Sequence, residues 1–153
     1  MTATHTVPHA PYIAAAFDAL AEAATPPAEV DVRASESCGN SLMLDAVITL
    51  TPEDSGIPAA RYPHGLILIW EHHNEHEDGC LNEGAVWQWA RLNEDGSNSL
   101  PEPLPLPGWV MPAMLAGAVV TLAHTGTATP MTSGWHQHLR APVQTAIEDW
   151  ETR

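Results

Sequence analysis

The period of the apolar positions changes along this chain, and each change marks an element. Ile13, Phe17, Leu20 and Ala24 recur at helical spacing while Asp18 and Glu22 fall off that stripe, so 11–24 reads as an amphipathic helix. Pro11 suits its first turn, where a missing N–H costs nothing, and Thr25-Pro26-Pro27 ends it. From residue 30 the period falls to two. Val30, Val32 and Ala34 alternate with Asp31 and Arg33, and beyond a turn at Cys38-Gly39-Asn40 the residues Leu42, Leu44, Ala46, Ile48 and Leu50 share one face of a second strand. This pair reads as a hairpin.

A loop over 52–63 precedes the continuous run Leu66-Ile67-Leu68-Ile69-Trp70, which predicts a central strand over 65–71 buried on both faces. Ala85 to Leu92 is a further strand with Trp87, Trp89 and Arg91 on one side, followed by a turn over 93–99. In 101–107 proline alternates with Glu102, Leu104 and Leu106. That predicts a stiff extended spacer laid along the core by the two leucines, without the PxxP spacing of proline-recognition ligands. Pro112 opens a helix to about residue 122, with Met111, Met114, Leu115, Ala118 and Leu122 available for packing, and Pro142 opens another with Val143, Ala146, Ile147 and Trp150 on one face. The element order predicts an α+β fold, an antiparallel sheet of about four strands flanked by three helices. Residues 1–10 read as a disordered N-terminus and 11–153 as a single domain.

Charge narrows the function classes. The chain has 153 residues, 19 acids against five arginines and no lysine, giving a formal net charge of −14. Such a molecule repels phosphate backbones, and its arginines form no basic cluster in sequence, so direct binding to nucleic acid or an anionic membrane is disfavoured. Two cysteines and a polar N-terminus point to a reduced, cytoplasmic protein with no disulfide framework and no signal peptide. No apolar run reaches the roughly 20 residues a membrane span needs. The lack of lysine, with abundant Ala, Pro and Thr, fits the coding bias of a GC-rich bacterium or its phage.

The densest chemistry follows the central strand. His72, His73, Glu75, His76 and Cys80 supply the nitrogen, oxygen and sulfur donors that zinc or another transition metal takes. The string His72-x-x-Glu75-His76 matches an inverted zinc-protease motif, but that motif works on a long helix, and here it follows a strand and ends at the turn Asp78-Gly79. Zinc protease is therefore rejected. A non-catalytic metal site competes with a solvated hairpin loop whose charge blunts a sheet edge, and protonation of the same histidines would bring the loop near neutrality. His136 and His138 have strand spacing but read as surface residues before the last helix; a composite site with the 72–76 cluster or His124 would need convergence in the fold.

No nucleophile stands out. Cys38 has no basic neighbour and Cys80 is surrounded by acids, which suppress the thiolate; serine elbows, phosphate loops and dinucleotide fingerprints are absent. Trp70, Trp109 and Trp150 sit in apolar contexts expected to be core. Trp87, Trp89 and Arg91 combine the residue types of binding hot spots and, with Glu77 and Asp78, are the candidate partner-binding residues; the competing reading is that helices cover this face.

The string from Leu66 to His72 (LILIWEH), the tryptophan-containing strand after it, and LPLPGWVMP leading into a Val/Leu helix resemble a group of small actinobacterial and actinophage proteins known as a domain of unknown function. The resemblance covers roughly 11–122. It implies an N-terminal helix before strands that end in a Trp-acidic pair, here Trp70-Glu71; the His-rich insert after Glu71 departs from the shorter turn of that group. It implies no activity, substrate or catalytic residue.

Three functions follow. The leading expectation is a non-enzymatic regulatory module that uses its acidic surface to bind a basic protein partner, as phage regulators and inhibitors that imitate the charge of DNA do. The alternatives are a metal-binding protein built on loop 72–80, for zinc or another transition metal, and an enzyme whose site is assembled from distant residues.

Overall fold

The period-two segments pair into one antiparallel sheet. The computed structural model describes residues 9–36, 42–73, 84–106 and 108–128. Strands β1 (Glu29–Glu36), β2 (Leu42–Leu50), β3 (Leu66–His73), β4 (Gly84–Arg91) and β5 (Glu102–Pro103) lie side by side in chain order, each antiparallel to the next. With α1 (Ala10–Glu22), α2 (Pro52–Ser55) and α3 (Pro112–Thr125) this is the expected α+β arrangement.

Two details differ from expectation. The proline-rich segment contributes a fifth strand. Pro103 has no N–H and can only join an edge, and Leu104, next to it, donates its amide to the Trp87 carbonyl at 2.9 Å while its side chain enters the core. The third helix is α2, inside the expected loop 52–63. Thr51 Oγ1 accepts the Asp54 amide at 3.1 Å, Pro52 fills the first turn, and Gly56 closes the helix in the left-handed region. The helix expected from Pro142 lies outside the described residues.

Register decides which residues form the core. Ala46 faces Trp70 and Trp70 faces Trp87; Ile48 faces Leu68 and Leu68 faces Trp89. These residues, with Leu44, Leu50 and Leu66, make the inner face, covered by Tyr12, Ile13, Ala16 and Leu20 of α1 and by Leu115, Val119 and Leu122 of α3. The central strand is fully covered on this side only. On its other face Ile67 is buried, whereas Ile69 and Glu71 are half-buried.

The segment Gly108-Trp109-Val110 straps α1 to the sheet. The Trp70 indole donates to the Gly108 carbonyl at 2.8 Å. The Tyr12 hydroxyl donates to the Val110 carbonyl at 2.6 Å and accepts from the Trp87 indole at 3.3 Å. Burial pushes the Tyr12 phenol far above its ordinary range, so it stays a neutral donor. Each polar tip of these buried aromatics thus has a partner, as burial requires.

Helix α1 ends in a Schellman motif made without glycine. Ala24 takes a left-handed φ of 63°, the Ala24 amide donates to Ala21 O at 3.1 Å and the Thr25 amide to Leu20 O at 2.9 Å. An exposed alanine there carries strain that glycine lacks. Ala24→Gly should therefore stabilise the fold by about 0.5–1 kcal/mol in urea denaturation; a destabilised variant would contradict the assigned geometry.

Candidate protein-interaction groove

The residues that sequence reasoning grouped fall partly in the core and partly outside the described residues. Trp87 and Trp89 are 1% and 9% exposed and belong to the core, so of the Trp87/Trp89/Arg91 face only Arg91 is largely exposed. The physical reason is that period-two spacing defines a face but not its side of the sheet, and this face turned inward. Glu77 and Asp78 lie outside the described residues, as do Glu75, His76 and Cys80 of the expected metal set, together with the side chain of His73. His72 is described and points into the core beside Trp70 and Trp109, with ring centroids 6.0 Å and 5.9 Å away. Among the described residues no group of three or more His, Cys, Asp or Glu is placed to hold a metal. His136, His138, Cys38 and Trp150 also fall outside them.

His9, read as part of a disordered N-terminus, is fully buried. Its ring stacks on Trp70 with centroids 5.2 Å apart, and Nε2 donates to the Asp45 carbonyl at 2.8 Å. Burial holds its pKa below the ordinary histidine value, which keeps the ring neutral and leaves Nδ1 as an unprotonated atom without a hydrogen-bond partner. His9 therefore anchors the start of α1 onto β2.

The acidic surface and the apolar surface meet between α1 and β1. Ala10, Ile13, Ala14 and Phe17 of the helix face Val30 and Val32 of the strand across a cavity of about 330 Å³, which Asp18 also lines. The helix stripe explains the opening. The buried face is centred on Ile13, Ala16 and Leu20, which leaves Phe17 on the shoulder rather than in the core. Val30 is 42% exposed, although it lies on the same sheet face as the fully buried Ile48.

Around this groove the charge is one-sided. Asp18 and Glu22 on α1 are exposed, and so are Glu29 and Asp31 on β1, which alternate with Val30 and Val32 and so turn to the other face of the edge strand. Arg33 is the nearby cation in sequence, and its Nε is already committed at 3.1 Å to Asp45 and 3.6 Å to Asp31. Strand β1 is also a sheet edge, bonded only to β2 among the described residues, so one row of its backbone donors and acceptors has no strand partner. Charged Glu29, Asp31 and Arg33 discourage indiscriminate strand addition there. Sequence reasoning did not locate this groove; the available signal was that Phe17, Val30 and Val32 supply more apolar surface than a helix packed flat on an edge strand would cover.

No described helix is long and apolar enough to cross a membrane. Compared with known proteins, the chain matches no family model, no curated protein and no solved structure.

Proposed function

We propose that the protein is a non-enzymatic interaction module that recognises a basic protein partner, with the α1–β1 groove receiving apolar side chains of a cationic segment. The observation that carries this reading is the coincidence of an apolar cavity lined in part by Asp18, the edge strand β1 beside it, and the exposed carboxylate of Glu22 one turn further along α1. Each element has a separate job. The net charge of −14 attracts a cationic partner over distance and speeds encounter. Asp18 and Glu22, one turn apart on α1, hold lysine or arginine at the rim. The cavity walls bury an apolar side chain and supply the part of the affinity that salt does not screen. A wall of Ala, Ile, Phe and Val with one carboxylate offers no nucleophile beside a base, so it suits recognition rather than bond-making.

The test is calorimetric titration of the full chain with an amphipathic peptide of leucine and lysine, against a leucine–glutamate peptide of the same length. Saturable binding of the cationic peptide alone is expected, weakening as salt is raised. Replacing both Asp18 and Glu22 by lysine should weaken it by about tenfold or more at low salt. Equal binding of both peptides, or no effect of the charge reversal, would reject the reading.

A further inference from the structure

The end of the sheet away from β1, near β4 and the end of α3, gathers the rarest charge in the chain. Arg61, in the turn that follows α2, and Arg91, the last residue of β4, line one cleft of about 480 Å³ together with His124 from the last turn of α3 and with Pro58 and Ala60. Two of five arginines thus meet a histidine in a molecule with 19 acids. Among the described residues neither guanidinium lies in an ion pair; the ion pairs belong to Arg33.

Both guanidinium groups are held in place without carboxylates. The Arg61 guanidinium lies against Gly126, where an added Cβ would come 2.5 Å from Nη1, and so sits at the negative end of α3. Gly126 has a left-handed φ of 81° and its amide caps the Leu122 carbonyl, so any side chain there would both strain the turn and displace Arg61. The Arg91 guanidinium stands over the buried Tyr62 ring, 5.5 Å from its centroid, and the Tyr62 hydroxyl donates to the Leu122 carbonyl at 3.0 Å. The helix terminus explains Arg61 and His124 as structural choices. It does not explain why Arg91, on a different element, joins them instead of turning to one of the abundant acids.

A second cavity of about 430 Å³ begins on the other side of Arg91. Trp89, Ser99, Leu100 and Glu102 line it, and Leu100 is 87% exposed. The lining of this second space is mixed, with Trp89 and the exposed Leu100 side chain beside Ser99 and Glu102, and the Glu102 carboxylate there repels an anion but accepts from N–H or O–H groups. We infer that Arg61, Arg91 and His124 form a binding site for the phosphate group of a small organic phosphate monoester, with its organic body in the adjoining cavity beside Trp89 and Leu100. Paired planar guanidinium groups fit phosphate oxygens with directed, charge-assisted hydrogen bonds. This site is independent of the α1–β1 groove, which lies at the β1 edge.

Calorimetry of the full chain with phenyl phosphate and with inorganic phosphate, at constant ionic strength, tests the site. Phenyl phosphate should bind saturably at one site with a Kd of about 1 mM or below, and inorganic phosphate more weakly. Arg61→Gln and Arg91→Gln should each lose about tenfold or more, while Arg33→Gln should bind as the natural chain does. Melting curves followed by circular dichroism establish that the variants are folded, and should Arg61→Gln fail to fold for want of its contact with α3, Arg91→Gln decides. Absence of saturable heat, or unchanged affinity in Arg91→Gln, would overturn the site. Equal affinity for the two ligands would overturn the assignment of the second cavity.

Discussion

Gly108→Ala is expected to lower stability by at least about 3 kcal/mol, a large share of the 5–15 kcal/mol that holds a domain together. Backbone, not a movable side chain, stands in the way. A Cβ at residue 108 would overlap the carbonyl and Cβ of Ala85 at the start of β4. Relief would require the strap over 108–110 to lift from the sheet. Lifting it stretches the bond from the Trp70 indole to the Gly108 carbonyl and the bond from Tyr12 to Val110, leaving buried polar groups unpaired. Thermal denaturation should show a fall of roughly 6–12 °C in Tm. A Tm within about 2 °C of the natural chain would contradict the close approach.

Trp70→Ala is expected to be similarly severe, about 3–5 kcal/mol, for a different reason. Trp70 is fully buried, and its ring contacts His9, Tyr12 and Trp109 at centroid distances of 5.2, 6.0 and 5.1 Å. Truncation opens a cavity where α1, β3 and the strap meet, and it removes the donor to Gly108. Trp70→Phe separates the two contributions. It keeps most of the ring but not the indole N–H, and should lose about 1–3 kcal/mol. Urea denaturation of both variants checks the ordering; Trp70→Phe as damaging as Trp70→Ala would mean that the hydrogen bond, not the packing, dominates.

What the chain reveals on inspection follows from period and punctuation. Alternation over Val30–Val32–Ala34 and Leu44–Ala46–Ile48–Leu50 placed β1 and β2 correctly, since a one-residue slip would turn every apolar side chain outward. Prolines 11 and 112 marked both long helices. Three features were hidden for physical reasons. Period two identified the Trp87/Trp89 face but not its direction, because direction depends on what packs against the sheet. Residues 52–55 carried too few positions for periodicity, and only the Thr51 cap and Pro52 mark α2. His9 lies before the first apolar repeat, so nothing local distinguishes it from a solvated terminal residue; its burial comes from Trp70, far along the chain.

The sites were less legible still. The groove needs Phe17 and Val30 brought together by the packing of α1 on an edge strand. The cationic cleft needs Arg61, Arg91 and His124 from three separate elements. In sequence these arginines look scattered, and scattering was the argument against a basic cluster. The His-rich loop drew attention because its residues are adjacent, whereas the one member whose side chain is described, His72, serves the core between Trp70 and Trp109.

The two surfaces differ in charge and position, so they predict different responses to salt and ligand. A cationic peptide should compete with neither phosphate nor phenyl phosphate. The most direct measurement of the interaction reading is an amide NMR titration of the full chain with the leucine–lysine peptide. Shifts concentrated at Ile13, Phe17, Asp18, Val30 and Val32, and saturating together, are the predicted result. Shifts spread evenly over the acidic surface, or centred elsewhere while these residues stay still, would show that the groove is not where the partner binds.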